Sequence, residues 1–235
     1  MTGDSEIENL EEMTVSNIRG VILDVDGTLV LSNEAQAKSW VEAMADYGYY
    51  VPIETIGPLV GMGGDKVLPE TTGLQKDSQD GKKIDIKRGE IFKQKYLPTL
   101  QAAPGARDLL QHMRQKGLKL SVASSAKMDE LKPLLQVVGA SDLIEEETSA
   151  GDASRSKPDP DIIQVTLQRI GLSADQVLML GDTAYDIEAA RNAGLSTIAL
   201  RCGGWSDRDL KGAIAIYNDP ADLLEHYDTS PLGNA

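Results

Sequence analysis

The stretch GVILDVDGTLV, residues 20–30, decides how the rest of the chain is read. Its apolar opening reads as a buried strand, too short to be a helix and without polar alternation. It then sets two carboxylates, Asp24 and Asp26, one residue apart, where neighbouring negative charges repel. Gly27 follows and gives the turn a freedom that a side chain would deny.

Outward from this strand, the chain from residue 104 alternates helix-period segments with short apolar runs, the pattern of a parallel sheet covered by helices. PGARDLLQHMRQKG places Ala106, Leu109, Leu110 and Met113 on one helical face and stops at Gly117. LKLSVA reads as a strand, MDELKPLLQVVG as a helix with Leu131, Leu134, Leu135 and Val138 in register, and DLI, residues 142–144, as an abbreviated strand. DPDIIQVTLQRIG offers Asp159 as N-cap, Pro160 in the first turn and Gly171 at the exit. The strand QVLMLG, the helix AYDIEAARNAG, the strand STIAL, the run AIAIY and a last helix from Pro220 to His226 complete the series. The expected fold is α/β: an open, doubly wound parallel sheet of Rossmann-like type.

Residues 31–103 interrupt that alternation with helical periods and no convincing strand, and so predict an inserted all-helical cap. NEAQAKSWVEAMADYG puts Ala37, Trp40, Val41 and Met44 on one face, and IKRGEIFKQKYL carries a weaker period through Ile91, Phe92 and Leu97. GPLVGMGGDK and the polar KDSQDGKK lie between them; the former reads as a cap hinge or substrate loop. The expected division is thus a tail over 1–17, a catalytic core over 18–30 and 104–235, and a cap over 31–103.

Composition narrows the class. A net charge of −14 across 235 residues argues against a nucleic-acid partner, whose phosphates are met by clustered Lys and Arg. MTGDSEIENLEE holds five acidic residues and no base, so residues 1–17 are expected to be a disordered acidic tail. No apolar run is long enough to span a bilayer and the N-terminus lacks a basic signal region, so no membrane partner and a cytoplasmic location are expected. The single cysteine, Cys202, allows no internal disulfide and reads as a small apolar residue. His112 and His226 have no partner at metal-ligand spacing, and CGGW near residue 203 reads as a loop.

Ligands of open α/β sheets bind beyond the carboxyl ends of the strands, and four segments bring polar residues there. Asp24 and Asp26 end the first strand, Ser124 and Ser125 end SVASS, Asp182 and Asp186 follow LMLG, and Lys157 precedes a helix in SKPDP. Carboxylates converging on one crevice call for a divalent cation, and Mg²⁺ prefers oxygen ligands. A carboxylate beside such a cation can attack a phosphoryl group, which suits Asp24; a second on the turn can serve as general acid and base, which suits Asp26. Ser124 with its neighbouring N–H groups, and Lys157, can bind the phosphoryl oxygens. Taken alone, DVDGT is a tight turn, Ser124 a helix cap, Lys157 a surface charge and GDTAYD an N-cap. Their shared place at strand ends favours one site.

DVDGTLV, SVASS, KPDP with its lysine, and GDTAYD resemble, in order, the four motifs of the haloacid dehalogenase superfamily, most closely its phosphatase and phosphomutase branch. The resemblance spans Ile18 to Tyr227. It implies Asp24 as nucleophile, Asp26 as general acid and base, and Ser124, Ser125 and Lys157 as phosphate binders. It also implies Asp24, Asp182 and the backbone carbonyl of Asp26 as Mg²⁺ ligands, with Asp186 as a carboxylate behind them. Dehalogenases of the family lack the second aspartate, so Asp26 points to phosphate esters. Sugar phosphomutases usually carry a histidine where Gln36 aligns and an arginine near Gly64; both are absent, though Lys66 lies close by. Gln36 and Lys66 are the candidate cap contacts to substrate, while Trp40 reads as packing. The expectation is a Mg²⁺-dependent phosphatase acting on a small phosphorylated metabolite, as a monomer. A sugar phosphomutase or a non-catalytic phosphate-binding module are the alternatives.

Overall fold

The computed structural model describes residues 18–233; the expected tail, residues 1–17, lies outside the described residues. The six strands β1 (Gly20–Leu23), β2 (Lys119–Ala123), β3 (Glu146–Thr148), β4 (Val177–Gly181), β5 (Ser196–Leu200) and β6 (Ala215–Tyr217) form one sheet in the order β3-β2-β1-β4-β5-β6. Every pairing is parallel. Strand order reverses beside β1, whose neighbours are β2 on one side and β4 on the other, so the switch point falls where Asp24 and Asp182 leave the sheet.

Successive side chains of a strand point to opposite faces, and the apolar runs fill both. Val21, Leu23, Leu178 and Leu180 face one core, built with Leu109, Leu110 and Met113 of α5 (Ala106–Gln115), Leu131, Leu134 and Leu135 of α6 (Met128–Val138) and Leu223 of α9 (Pro220–Glu225). Ile22, Val177 and Met179 face the other, against Ile162 and Ile163 of α7 (Asp161–Ile170) and Ala189 and Ala190 of α8 (Ala184–Asn192). The doubly wound α/β sheet expected from the sequence is the fold observed.

Between β1 and α5 the chain is helical: α1 (Asn33–Asp46), α2 (Ile53–Ile56), α3 (Gly64–Thr72) and α4 (Gln79–Ile91), followed by a π turn over Phe92–Tyr96. These helices share their own apolar cluster, with Ala37, Trp40 and Met44 of α1 against Ile56, Leu68 and Ile84.

Three local expectations need correction, and one polar interval gains a place in the fold. DLI, 142–144, forms a turn, and the strand is the polar triplet Glu146–Thr148, which pairs with β2 alone and is held by its ladder more than by apolar burial. Asp159 does not cap α7; Pro160 holds that position, and the Asp159 carboxylate is taken by Lys66 at 2.6 Å and Arg155 at 2.8 Å. The polar interval KDSQDGKK opens α4, where the Ser78 hydroxyl accepts the Gly81 N–H at 3.1 Å. GMGGDK is only half a loop, because Gly64 already begins α3.

Candidate active site

The first strand ends one residue before Asp24, whose N–H still donates to Leu180 O of β4 at 2.9 Å and so fixes the carboxylate over the switch point. Asp24 is buried, and Lys157 Nζ donates to its Oδ1 at 2.6 Å. The same ammonium donates to Asp186 Oδ1 at 2.7 Å, and Lys157 itself is fully buried. Burial works against the charge of Lys157, but Asp186 and Asp24 outweigh it and hold its pKa above the usual lysine range. Burial likewise pushes the Asp24 carboxyl up, to about 7, against the lowering pull of Lys157.

Asp182 lies at the end of β4 with no exposure, and burial together with Asp24 and Asp186 raises its pKa well above the ordinary aspartate value. Its two oxygens accept from Thr28 Oγ1 at 2.9 Å and from Asn33 Nδ2 at 2.8 Å. Asp24, Asp182 and Asp186 bring one oxygen each within 4.8 Å of one another. Three buried carboxylates this close fit a hard divalent cation such as Mg²⁺, which takes oxygen ligands and removes the mutual repulsion. Asp186 has little left to give a metal: Oδ1 holds Lys157, while Oδ2 accepts from Thr183 N at 3.0 Å and Thr183 Oγ1 at 2.8 Å in a capping box that starts α8. Asp24 and Asp182 accept one hydrogen bond on each oxygen and so keep more free lone pairs than Asp186 does.

The Asp26 carboxylate is not part of this cluster. Its Oδ1 accepts from Ser32 Oγ at 2.6 Å and from Gln36 Nε2 at 2.8 Å, while Oδ2 takes no hydrogen bond among the described residues. Ser124 is buried and its hydroxyl accepts Ala126 N–H at 3.1 Å; it does not cap α6, where Lys127 occupies the N-cap. Ser125 Oγ donates to Gly61 O at 3.0 Å, across to the inserted helices. Lys66 is not on the cavity wall, because its ion pair with Asp159 ties α3 to the core instead.

Several site residues carry no signal in the sequence. Thr28 and Asn33 hold Asp182, and Asn33 Nδ2 also donates to Gly203 O at 2.8 Å, so the CGGW loop braces the acidic cluster. Arg88 of α4 reaches the crevice, where Nη1 donates to Gln36 Oε1 at 3.1 Å and to Glu130 Oε2 of α6 at 2.6 Å. These bonds, with Lys127–Asp85 at 2.7 Å and Tyr185 Oη donating to Pro58 O at 2.7 Å, hold the inserted helices down on the sheet. The space enclosed between them is a cavity of ≈ 40 Å³ lined by Asp24, Asp26, Gln36, Ser124 and Arg88, among others.

A doubly wound sheet whose switch point gathers buried carboxylates, a buried lysine and two serines defines a class of hydrolase suited to phosphoryl groups. The chain belongs to the family of haloacid dehalogenase-like hydrolases, whose sequence profile matches residues 21–200. A phosphoglycolate phosphatase of Yersinia pestis is 30% identical over 191 residues, covering 79% of this chain and 82% of the relative. A putative pyrophosphatase PpaX of Caldanaerobacter subterraneus is 28% identical over 191 residues, covering 80% and 83%. Among solved structures, a hydrolase from Pseudomonas syringae superposes with a TM-score of 0.84 at 28% identity, covering 90% of this chain and 98% of that one. The two sequence relatives bear the names of a phosphatase and a putative pyrophosphatase, while solved structures of the same fold also include β-phosphoglucomutases. No helix of the described residues is long and apolar enough to cross a membrane.

Proposed function

We propose that the chain is a Mg²⁺-dependent phosphatase that hydrolyses a small phosphomonoester through an aspartyl-phosphate on Asp24. The observation that carries this reading is the buried Asp24 carboxylate, one oxygen fixed on Lys157 at 2.6 Å, with a second carboxylate two residues on and turned aside. Asp24 attacks phosphorus, the phosphorus–ester oxygen bond breaks, and the departing oxygen takes a proton from Asp26. Asp26 then takes a proton from water, whose oxygen bonds to phosphorus as the Asp24–phosphorus bond breaks, releasing inorganic phosphate and restoring Asp24.

Lys157 has three donors and spends two on Asp24 and Asp186, so the third is left for a phosphoryl oxygen, with Ser124 and its neighbouring N–H groups beside it. Mg²⁺ would be held by Asp24 and Asp182, with the Asp26 carbonyl able to add a ligand. It would neutralise the charge that nucleophile and phosphoryl group bring together. A cavity of ≈ 40 Å³ admits little more than water, so residues 31–103 act as a cap that swings away for entry and closes to exclude bulk solvent.

The mutase reading is weakened by the partner of Asp26. Gln36 supplies an amide, which orients a carboxylate but does not titrate near neutrality. The test is phosphate release from a panel of phosphomonoesters with and without Mg²⁺, beside phosphorus NMR on a hexose 1-phosphate. Accumulating inorganic phosphate that stops in chelator supports the proposal. A dominant 6-phosphate signal with little free phosphate overturns it in favour of the mutase.

A further inference from the structure

Lys157 is the phosphate binder that regular structure does least to place. Ser124 follows β2 directly, whereas Lys157 sits in an irregular stretch between β3 and α7. Yet its ammonium has to lie fully buried between Asp24 and Asp186, at 2.6 and 2.7 Å. An irregular segment is placed by whatever bonds its backbone and side chains on either side. Here those bonds come from the inserted helices. Ser156 Oγ accepts the Gly63 N–H at 3.0 Å, and the Ser156 N–H donates to Asp65 Oδ2 at 3.2 Å. Lys66 Nζ donates to Asp159 at 2.6 Å. The N-terminal end of α3 thus clasps the residue before Lys157 and the residue two after it.

The core's own hold is looser. Among the described residues, its hydrogen bonds to 153–159, apart from those of Lys157, are a 3.4 Å contact from Asn192 Nδ2 to Pro158 O and the exposed Arg155–Asp161 pair at 2.9 Å. Asp159 already has Arg155 at 2.8 Å, so Lys66 is not needed to neutralise it. The approach of α3 is also close. A Cβ on Gly63 would fall 2.8 Å from Ser156 Cβ, while its φ of −83° suits any residue, so glycine serves proximity there rather than conformation.

We infer that Asp65 and Lys66 are positioning residues for Lys157: their clasp on Ser156 and Asp159 aims the free donor of the ammonium at the phosphoryl group, so phosphate is bound at full strength only while α3 rests on this segment. The inference rests on the phosphatase reading above and adds the residues through which the inserted helices act on its phosphate site. Neither residue lines the cavity, so neither acts by touching substrate.

The test compares wild type, Lys66→Arg and the double variant Asp65→Ala/Lys66→Met by hydrogen exchange with mass spectrometry and by calorimetric titration with inorganic phosphate in Mg²⁺ buffer. A partly exposed ion pair adds little to stability, so the variants should melt close to wild type. In the double variant the peptide carrying Ser156 and Lys157 should exchange faster, while the peptide carrying Asp24 keeps its rate. Its Kd for phosphate should rise ~3–30-fold, between the worth of an exposed ion pair and that of a hydrogen bond to a charged group. Lys66→Arg should match wild type in both measurements. An unchanged Kd overturns the inference whether or not exchange quickens. A raised Kd with unchanged exchange overturns it too, since the effect would not pass through this segment, and so does a wild type that binds no phosphate. Turnover of p-nitrophenyl phosphate by wild type is followed alongside. Its absence, with phosphate still bound and the double variant still weaker, would sink the phosphatase reading alone.

Discussion

Gly203 is where a single methyl group should do the most specific damage. It closes a short 3₁₀ turn, Arg201–Gly203, in a backbone conformation open to any residue, so Gly203→Ala brings no φ strain. The added Cβ would lie 1.7 Å from Asp182 Oδ2 and 2.4 Å from its carboxyl carbon. The carboxylate has to swing away, and with it goes the bridge by which Asn33 Nδ2 joins Asp182 Oδ2 to Gly203 O at 2.8 Å each. Overpacking of this kind costs ~1–3 kcal/mol, and losing a hydrogen bond to a charged group costs a further ~1.5–3 kcal/mol. Relief of repulsion between Asp182 and Asp24 returns part of that, so a loss of ~2–4 kcal/mol is expected, or about 5–15 °C in Tm for a chain of this size. The assay is thermal unfolding with and without Mg²⁺. A ligand that binds only the native state raises Tm, so wild type should gain from Mg²⁺ and Gly203→Ala should gain much less. Gly204→Ala is the control: φ is +94° and nothing lies within 4 Å, so it costs left-handed strain of ~1–2 kcal/mol but leaves the Mg²⁺ response intact. A Gly203→Ala protein with the wild-type Tm and the wild-type Mg²⁺ gain would refute the reasoning.

Lys157→Met leaves Asp24 and Asp186 buried without their cation, and in metal-free buffer should cost ~3–5 kcal/mol by urea unfolding; an unchanged midpoint would show the ion pairs to be incidental. The Cys202 thiol, pushed up to about 12 by burial and then by Asp182 and Asp219, is a thiol rather than a thiolate at pH 8, so iodoacetamide should label the folded protein far more slowly than the urea-unfolded one. Equal labelling rates would count against that. His226 has its pKa raised by its hydrogen bond to the Asp222 carbonyl and then by the Asp222 charge, so its contribution to stability is present below the unfolded value of about 6.5 and lost as pH rises through the folded one. His226→Gln should therefore differ from wild type in acid and converge with it at alkaline pH.

The sheet is legible in the sequence where each strand is an apolar run stopped by turn residues, as at GVIL, VLMLG and STIAL. β3 is not, because EET is an edge strand whose ladder is made by backbone groups, and the neighbouring DLI competes with it on hydrophobicity. The strand-end carboxylates are legible for a related reason: a charged residue that closes a buried parallel strand has to meet something. What braces them is hidden. Asn33 lies 149 residues from Asp182 and 170 from Gly203, so nothing local separates it from an ordinary residue opening a helix. Arg88 is 52 residues from Gln36 and 42 from Glu130, on a helix whose weak apolar period makes every basic side chain look solvated.

The central claim is that Asp24 carries the phosphoryl group in the course of each turnover. Rapid acid quench of the Mg²⁺-loaded protein turning over a hydrolysed phosphomonoester, followed by peptide mass spectrometry, tests it most directly. The account predicts a phosphoryl adduct on the peptide containing Asp24, lost on treatment with hydroxylamine and missing from Asp24→Asn, which should also lack turnover. Phosphate release at a near wild-type rate by Asp24→Asn, or an adduct on any other side chain, would contradict it.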